Sequence, residues 1–188
     1  MLRNDVIAAF KISIIFLIIG GVVFPLVLTG IAQVSIKQSA DGNLIERNGT
    51  VIGSSLVGQN FSNPKYFQSR LGNIGPSGVS NWGPYNPDLI QNVSDSVKEQ
   101  QLLNNYTGSI PIDLVTRSGS GQDPNIAKTS ALFQIPRISN LTGISQGELK
   151  SLVDRYTEER FIGIFGEPRV NVLQLNLALD NLIKSKGM

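Results

Sequence analysis

Residues 12–36 form the longest apolar run of the chain, ISIIFLIIGGVVFPLVLTGIAQVSI, with no formal charge and with Lys11 and Lys37 at its borders. A bilayer hydrocarbon core of about 30 Å needs about 20 apolar residues, so the run predicts a single membrane-spanning helix. Pro25 removes a backbone donor shortly after Gly20 and Gly21, which predicts a kink there. The small residues Gly20, Gly21, Thr29, Gly30 and Ala32 leave room for a neighbouring helix, and Gln33 puts a hydrogen-bonding group near the outer end. Gly20, Gly21, Pro25 and Gln33 are therefore the candidate partner-packing set.

Beyond residue 37 the periods shorten. Residues 44–47 and 50–53 flank Asn48-Gly49, a dipeptide that favours a two-residue hairpin turn. Residues 54–70 are broken by Gly58, Asn60, Asn63 and Pro64 but carry Phe61, Tyr66 and Phe67, so they read as irregular structure pinned by aromatics. Residues 71–87 are dense in Gly and Pro around Trp82, which predicts a loop holding a buried tryptophan. Asn86-Pro87 reads as an N-cap and first helical residue, with Leu89, Ile90, Val93, Val97, Leu102 and Leu103 on one face of a helix over 87–104.

The second half reads as a strand over 110–116, a Gly/Ser loop over 118–123, and a helix over 126–138 interrupted or ended near Pro136. Asp123, before Pro124, is the expected N-cap of that helix. Ser145 and Glu148 have the spacing of a capping box ahead of Leu149, Leu152, Val153 and Tyr156. Residues 161–165 suggest a strand and 166–168 a turn. The leucines after Asn171 fit either period, and the length of the run and its cap decide for a helix over 171–184. The fold class is α+β: one N-terminal membrane helix, then one mixed helix/strand domain.

Charge adds an orientation. Arg3, Lys11 and the amino terminus outweigh Asp5 before the span, so positive-inside bias places residues 1–11 in the cytoplasm, 12–36 in the membrane and 37–188 outside. A cleaved signal peptide is the rival reading, but its apolar region is only about 7–15 residues long, and both readings export the domain. From Gln38 onward thirteen basic residues face thirteen acidic ones, so no nucleic-acid footprint exists on the domain.

The chain has no Cys and no His. That excludes disulfides, a Ser-His-Asp triad, a Cys-His nucleophile and a His-based metal site. Ser118-Gly119-Ser120-Gly121 lacks the lysine and spacing of a phosphate loop, and Asp113 with Asp123 forms no recognisable acid/base pair. Glu158 and Glu159 read as a solvated helix end. No enzyme constellation emerges.

Laid end to end, the segments resemble the C subunit of the Kdp-type potassium-transporting ATPase. The resemblance runs through Gly21-Val22-Val23-Phe24-Pro25-Leu26 with Gln33, Gly58-Gln59-Asn60-Phe61, Tyr66-Phe67 with Arg70, and Ser77-Gly78-Val79-Ser80-Asn81. It continues through Asp113-Leu114-Val115-Thr116, Asp123-Pro124, Gln134-Ile135-Pro136-Arg137, Gly166-Glu167-Pro168-Arg169-Val170-Asn171-Val172 and Leu175-Asn176-Leu177-Ala178-Leu179-Asp180. Asn125 departs from a frequent His after Asp-Pro, Phe24 from a frequent Tyr, and Leu71 from a frequent Pro.

The resemblance implies a non-catalytic subunit of a potassium pump in the plasma membrane, partnered by the potassium-binding and ATP-hydrolysing subunits and by membrane lipid. It also implies a catalytic-chaperone role with ATP contact through the complex, for which Gln134 is the carry-over residue. The charge bias leaves only residues 1–11 on the ATP side. A membrane-tethered small-molecule binding module, suggested by the Gly/Asn/aromatic loops, is the reading from another functional class.

Overall fold

The computed structural model describes residues 2–47, 49–70 and 82–187, and it divides into two compact units, Met1–Val51 and Ile52–Met188. The first unit is dominated by helix. α1 (Leu2–Ile18) runs through one π-helical turn (Ile19–Val23) into α2 (Phe24–Ser35), and Arg3–Ser35 forms one helical stretch of 33 residues, long and apolar enough to cross a membrane. None of its apolar side chains is buried within the chain, because they alternate with nothing polar enough to define an inward face.

The break expected at Pro25 takes the form of that π turn. Phe24 N–H reaches back to Ile19 C=O, and both flanking residues keep right-handed helical dihedrals. A proline ring clashes with the carbonyl four residues earlier, here that of Gly21, and widening the preceding turn relieves the clash. Thr29 Oγ1 donates to Pro25 C=O at 2.8 Å. A short helix, α3 (Lys37–Ala40), follows, and the paired strands β1 (Leu44–Arg47) and β2 (Thr50–Ser54) flank Gly49, whose φ of 75° suits the expected turn. Asn48 lies outside the described residues, as does the expected loop over 71–81.

Among the described residues the second unit has four α-helices and a three-stranded antiparallel sheet. α4 (Pro87–Asn104) begins where the sequence predicts, with the Asn86 side chain accepting from the Asp88 and Leu89 amides. β3 (Asn125–Ala127) leads into α5 (Lys128–Thr142), and α6 (Gln146–Arg155) opens with the Ser145–Glu148 capping box. β4 (Thr157–Glu158), β5 (Arg169–Asn171) and α7 (Val172–Ser185) complete it, with the Asn171 side chain capping α7 at the Gln174 amide. The strand order is β3-β5-β4, pairing Ile126 with Val170 and Thr157 with Val170. The core joins Phe67, Ile126, Ile135, Ile138, Ile144, Leu149, Val153, Val172, Leu175 and Leu179.

Five expectations need correction. The run over 110–116 is not a strand: Ile112–Leu114 is a 3₁₀ turn, because Asp113 must face Ala127 N–H (2.7 Å) and Ser130 Oγ (3.1 Å). Asp123 does not cap a helix. It accepts from the Asn125 amide at 3.0 Å in an Asx turn, β3 intervenes, and α5 starts only at Lys128. That helix passes through Pro136 and ends at Gly143, whose φ is 70°. Residues 161–165 form a closed turn with a single bridge between Phe161 and Phe165. Within it Ile162 is left-handed at φ 54°, a conformation that costs an L-residue about 1–2 kcal/mol. Trp82 is half-buried, and Tyr85 beside it is exposed.

Candidate functional site

Three segments far apart in sequence meet in the interior of the second unit, and they meet through side-chain amides. Asn176, on the inner face of α7, accepts from Phe67 N–H at 2.9 Å and donates to Phe67 C=O at 2.9 Å. Gln134, on the inner face of α5, does the same for the next residue: its Oε1 accepts from Gln68 N–H at 2.7 Å and its Nε2 donates to Gln68 C=O at 3.1 Å. The irregular segment around Phe67 thus has its backbone groups paired as a strand's would be, but by helix side chains. A buried unpaired peptide group costs about 1–3 kcal/mol, so this clamp lets an apolar anchor, Phe67, sit in the core without a sheet.

Arg137 closes the arrangement, one helical turn from Gln134. Its Nε donates to Asn104 Oδ1 at 2.9 Å, Nη1 to Tyr66 C=O at 3.1 Å and Nη2 to Gln134 Oε1 at 2.8 Å. Tyr66 Oη in turn donates to Asp180 Oδ1 at 2.6 Å. Among the described residues no carboxylate forms an ion pair with Arg137; neutral oxygens carry its charge. Burial pushes its pKa down to about 10, which leaves it charged at neutral pH. This cation also joins α4, through Asn104, to α5.

Gln134, the residue singled out for nucleotide, is therefore fully buried, with both ends of its amide engaged. The pairs Gln134/Arg137 and Asn176/Asp180 have helical spacing, and polar residues set among Phe133, Ile135, Leu175 and Leu177 were the signal in the sequence. Their partners, Tyr66 to Gln68, carried no such mark.

Asp113 and Asp123 converge on one side chain, Arg70, whose Nη1 lies 3.6 Å and 3.7 Å from their carboxylates. Both acids also hold backbone amides, so they position chain and do not form a proton-transfer pair. The Ser118–Gly121 loop is tied down: Gly121 N–H bonds Ser118 C=O, and Gly58 N–H bonds Gln122 C=O at 2.7 Å. A Cβ on Gly58 would lie 2.7 Å from Asp123 C=O, so only glycine permits this approach. A cavity of about 320 Å³ lies between α4 and residues 115–117, lined by Trp82, Leu89, Val93, Asp95, Glu99 and Arg117, with the Arg117 guanidinium 5.6 Å from the Trp82 ring centre. Among the described residues no group of three or more acidic side chains could hold a metal ion.

In the first unit, Gly20 and Gly21 face open space, and Gln33 Nε2 donates to Asp41 Oδ1 at 3.0 Å. Lys37 binds the other oxygen of Asp41 at 2.6 Å, and these two bonds, Lys37 first, hold that carboxyl below its ordinary range.

Tyr66, Phe67, Gln134, Arg137, Asn176 and Asp180 lie in the sequence blocks that carried the resemblance, and comparison with known proteins bears the resemblance out. The family profile described as "KdpC: K+-transporting ATPase, c chain" matches residues 6–181. The chain belongs to the KdpC family. The potassium-transporting ATPase KdpC subunit of Bacillus cereus (strain ATCC 14579) is 48% identical over 181 residues, covering 93% of this chain and 94% of that one. The KdpC subunit of Bacillus thuringiensis subsp. konkukian is 44% identical over 189 residues, at 97% and 98% coverage, and that of Bacillus mycoides is 45% identical over 181 residues, at 93% and 94%. Like these KdpC proteins, the chain is a subunit and not the catalytic one of its assembly.

Proposed function

We propose that the chain is a non-catalytic accessory subunit of an ATP-driven, high-affinity potassium uptake pump, which it assembles and stabilises. The observation that carries this reading is the nearly full-length family match in a chain with one membrane-length helix and neither His nor Cys. The partners are the potassium-binding and ATP-hydrolysing subunits and the surrounding lipid. The chain is single-pass in the plasma membrane, with residues 1–11 in the cytoplasm and the domain outside, as its flanking charges favour. Gly20, Gly21 and the Pro25 turn offer a close-packing face to a partner helix, and Gln33 helps to fix the outer end through Asp41. Detergent co-purification checks the assembly role. Subunits recovered in equal yield with and without this chain would refute it.

The catalytic-chaperone role, with ATP contact, rests on the resemblance. For Gln134 to touch nucleotide directly, its bonds to Gln68 would have to open, so the clamp favours an indirect role in which Gln134 holds the fold. Nucleotide affinity of the complex, measured with Gln134→Glu and with wild type, separates the two. A selective loss of affinity at unchanged melting temperature would mark direct contact.

The cavity at Trp82 supports a second reading, a small-molecule binding module outside the membrane. Arg117 against acidic Asp95 and Glu99 would suit a zwitterionic ligand. Thermal shift of the full chain with amino acids, nucleotides and sugars decides this, since ligand-dependent melting without partners is what a module requires.

A further inference from the structure

The cavity between α4 and residues 115–117 is polarised, and its walls leave opposite charges without partners. On the α4 wall Leu89, Val93, Ser96 and Glu99 follow one another at helical spacing, so apolar side chains give way to an acid over about 15 Å of helix axis. Buried Val115, Arg117 and Trp82 complete the lining. Among the described residues Glu99 has no cationic partner and Arg117 no carboxylate; the Arg117 guanidinium rests 5.6 Å from the Trp82 ring centre instead. Two opposite charges thus line one cavity without meeting each other. Asp95, by contrast, is already engaged, by Gln91 at 2.8 Å and Lys98 at 3.5 Å.

The lining selects the ligand. A volume of about 320 Å³ lies at the small end of the range for ligand sites. Arg117 repels a lone cation, and Asp95 with Glu99 repels a phosphorylated ligand, so neither a polyamine nor a nucleotide suits the whole lining. A sugar needs several free hydroxyl partners, yet Ser96 and Thr116 donate theirs to the C=O groups of Asn92 (2.7 Å) and Ile112 (2.8 Å). What remains is a molecule with a carboxylate, an amine and an apolar body. We infer that the cavity binds an α-amino acid with an apolar side chain. Its carboxylate meets the Arg117 fork, its ammonium meets Glu99, and its side chain packs against Leu89, Val93 and Val115. This rests on the binding-module reading, which is compatible with a place in the pump, and adds to it the ligand class and the residues that select it.

Trp82 is the single tryptophan of the chain, so its fluorescence reports on this cavity. The full chain in phosphatidylcholine nanodiscs is titrated with L-leucine and, in parallel, with putrescine, ATP and glucose. The inference expects a saturable change in emission with L-leucine below about 10 mM, weakened at least about ten-fold by Glu99→Gln and by Arg117→Gln, since each removes a charge-assisted bond. Glu99 is exposed, so its variant should melt like wild type; if Arg117→Gln melts lower, Glu99→Gln decides alone. No change with L-leucine, or unaltered affinity in a variant that melts like wild type, overturns the inference. Saturation by putrescine, ATP or glucose but not by L-leucine overturns the amino-acid assignment and leaves the module reading in place. Silence with all four ligands refutes both.

Discussion

Among the described residues two helical stretches carry a proline beyond their first turn, and they absorb it in opposite ways. In the membrane-length helix Pro25 is preceded by a π turn, whereas α5 carries Pro136 in its interior and remains α-helical from Lys128 to Thr142. The reason is what surrounds each backbone. Pro136 is exposed between buried Ile135 and Arg137, while the inner face of α5 is fixed by core contacts and by the Gln134 and Arg137 bonds. The membrane-length helix has no buried residue to hold it, and hydrocarbon supplies no water to a freed carbonyl, so the backbone itself must rearrange. One helix is shaped by its own hydrogen bonding and the other by the tertiary structure around it.

Loosening the grip on α5 is expected to have the largest effect. Gln134→Ala strips both backbone groups of Gln68 and one partner of Arg137, and should lower stability by about 3 kcal/mol, seen as a denaturant midpoint shift. A change under about 1 kcal/mol would mean that water replaces the clamp. Next is Pro25→Leu, which removes the need for the π turn. It should leave the domain's melting unchanged and reduce co-purification with partner subunits several-fold; unaltered recovery would show that the turn plays no part in packing. Pro136→Ala should act in the opposite sense, stabilising α5 by about 1 kcal/mol, since the full penalty of about 3 kcal/mol for an interior proline is already softened by exposure and packing.

The smallest effect concerns the surface pairs that steady α5 and α6. Hydrogen bonds from Lys150 and then Lys128 hold the Asp154 carboxyl below its ordinary value of 3.8, and the Asp154 bond raises Lys128 above 10.5. A carboxyl with a depressed folded pKa stabilises above its unfolded value and loses that contribution as pH falls through the folded one. An amine with a raised pKa stabilises below 10.5 and loses the contribution as pH rises past it. Thermal melts should therefore show a slight drop at each end of the pH range, which Asp154→Asn flattens.

Local signals made much of the fold legible in advance. Asn86-Pro87, Ser145 with Glu148, and the Asn171 cap mark helix starts through bonds to nearby amides, and all three hold. The uncharged run needed only its length. What stayed hidden depends on long-range partners: β3, β4 and β5 are two or three residues each, too short for a period, and exist because Val170 lies between Ile126 and Thr157. Asp123 carried a capping signal that its own Asx turn satisfied first. The clamp was half visible, since Gln134 and Asn176 stand out on apolar faces, but nothing in Tyr66-Phe67-Gln68 says that its peptide groups bond to helices. Four large apolar residues around Gly163 suggested a strand, and their exposure emerged only with the turn.

The account's central claim is that this chain serves a potassium pump without performing its chemistry. Potassium-stimulated ATP hydrolysis by the purified pump tests it most directly, measured with the chain deleted and again after the full chain is added back. The claim predicts that stimulation falls at least about ten-fold without the chain, returns on addition, and is never shown by the chain alone. Unchanged stimulation in its absence, or hydrolysis by the isolated chain, would contradict it.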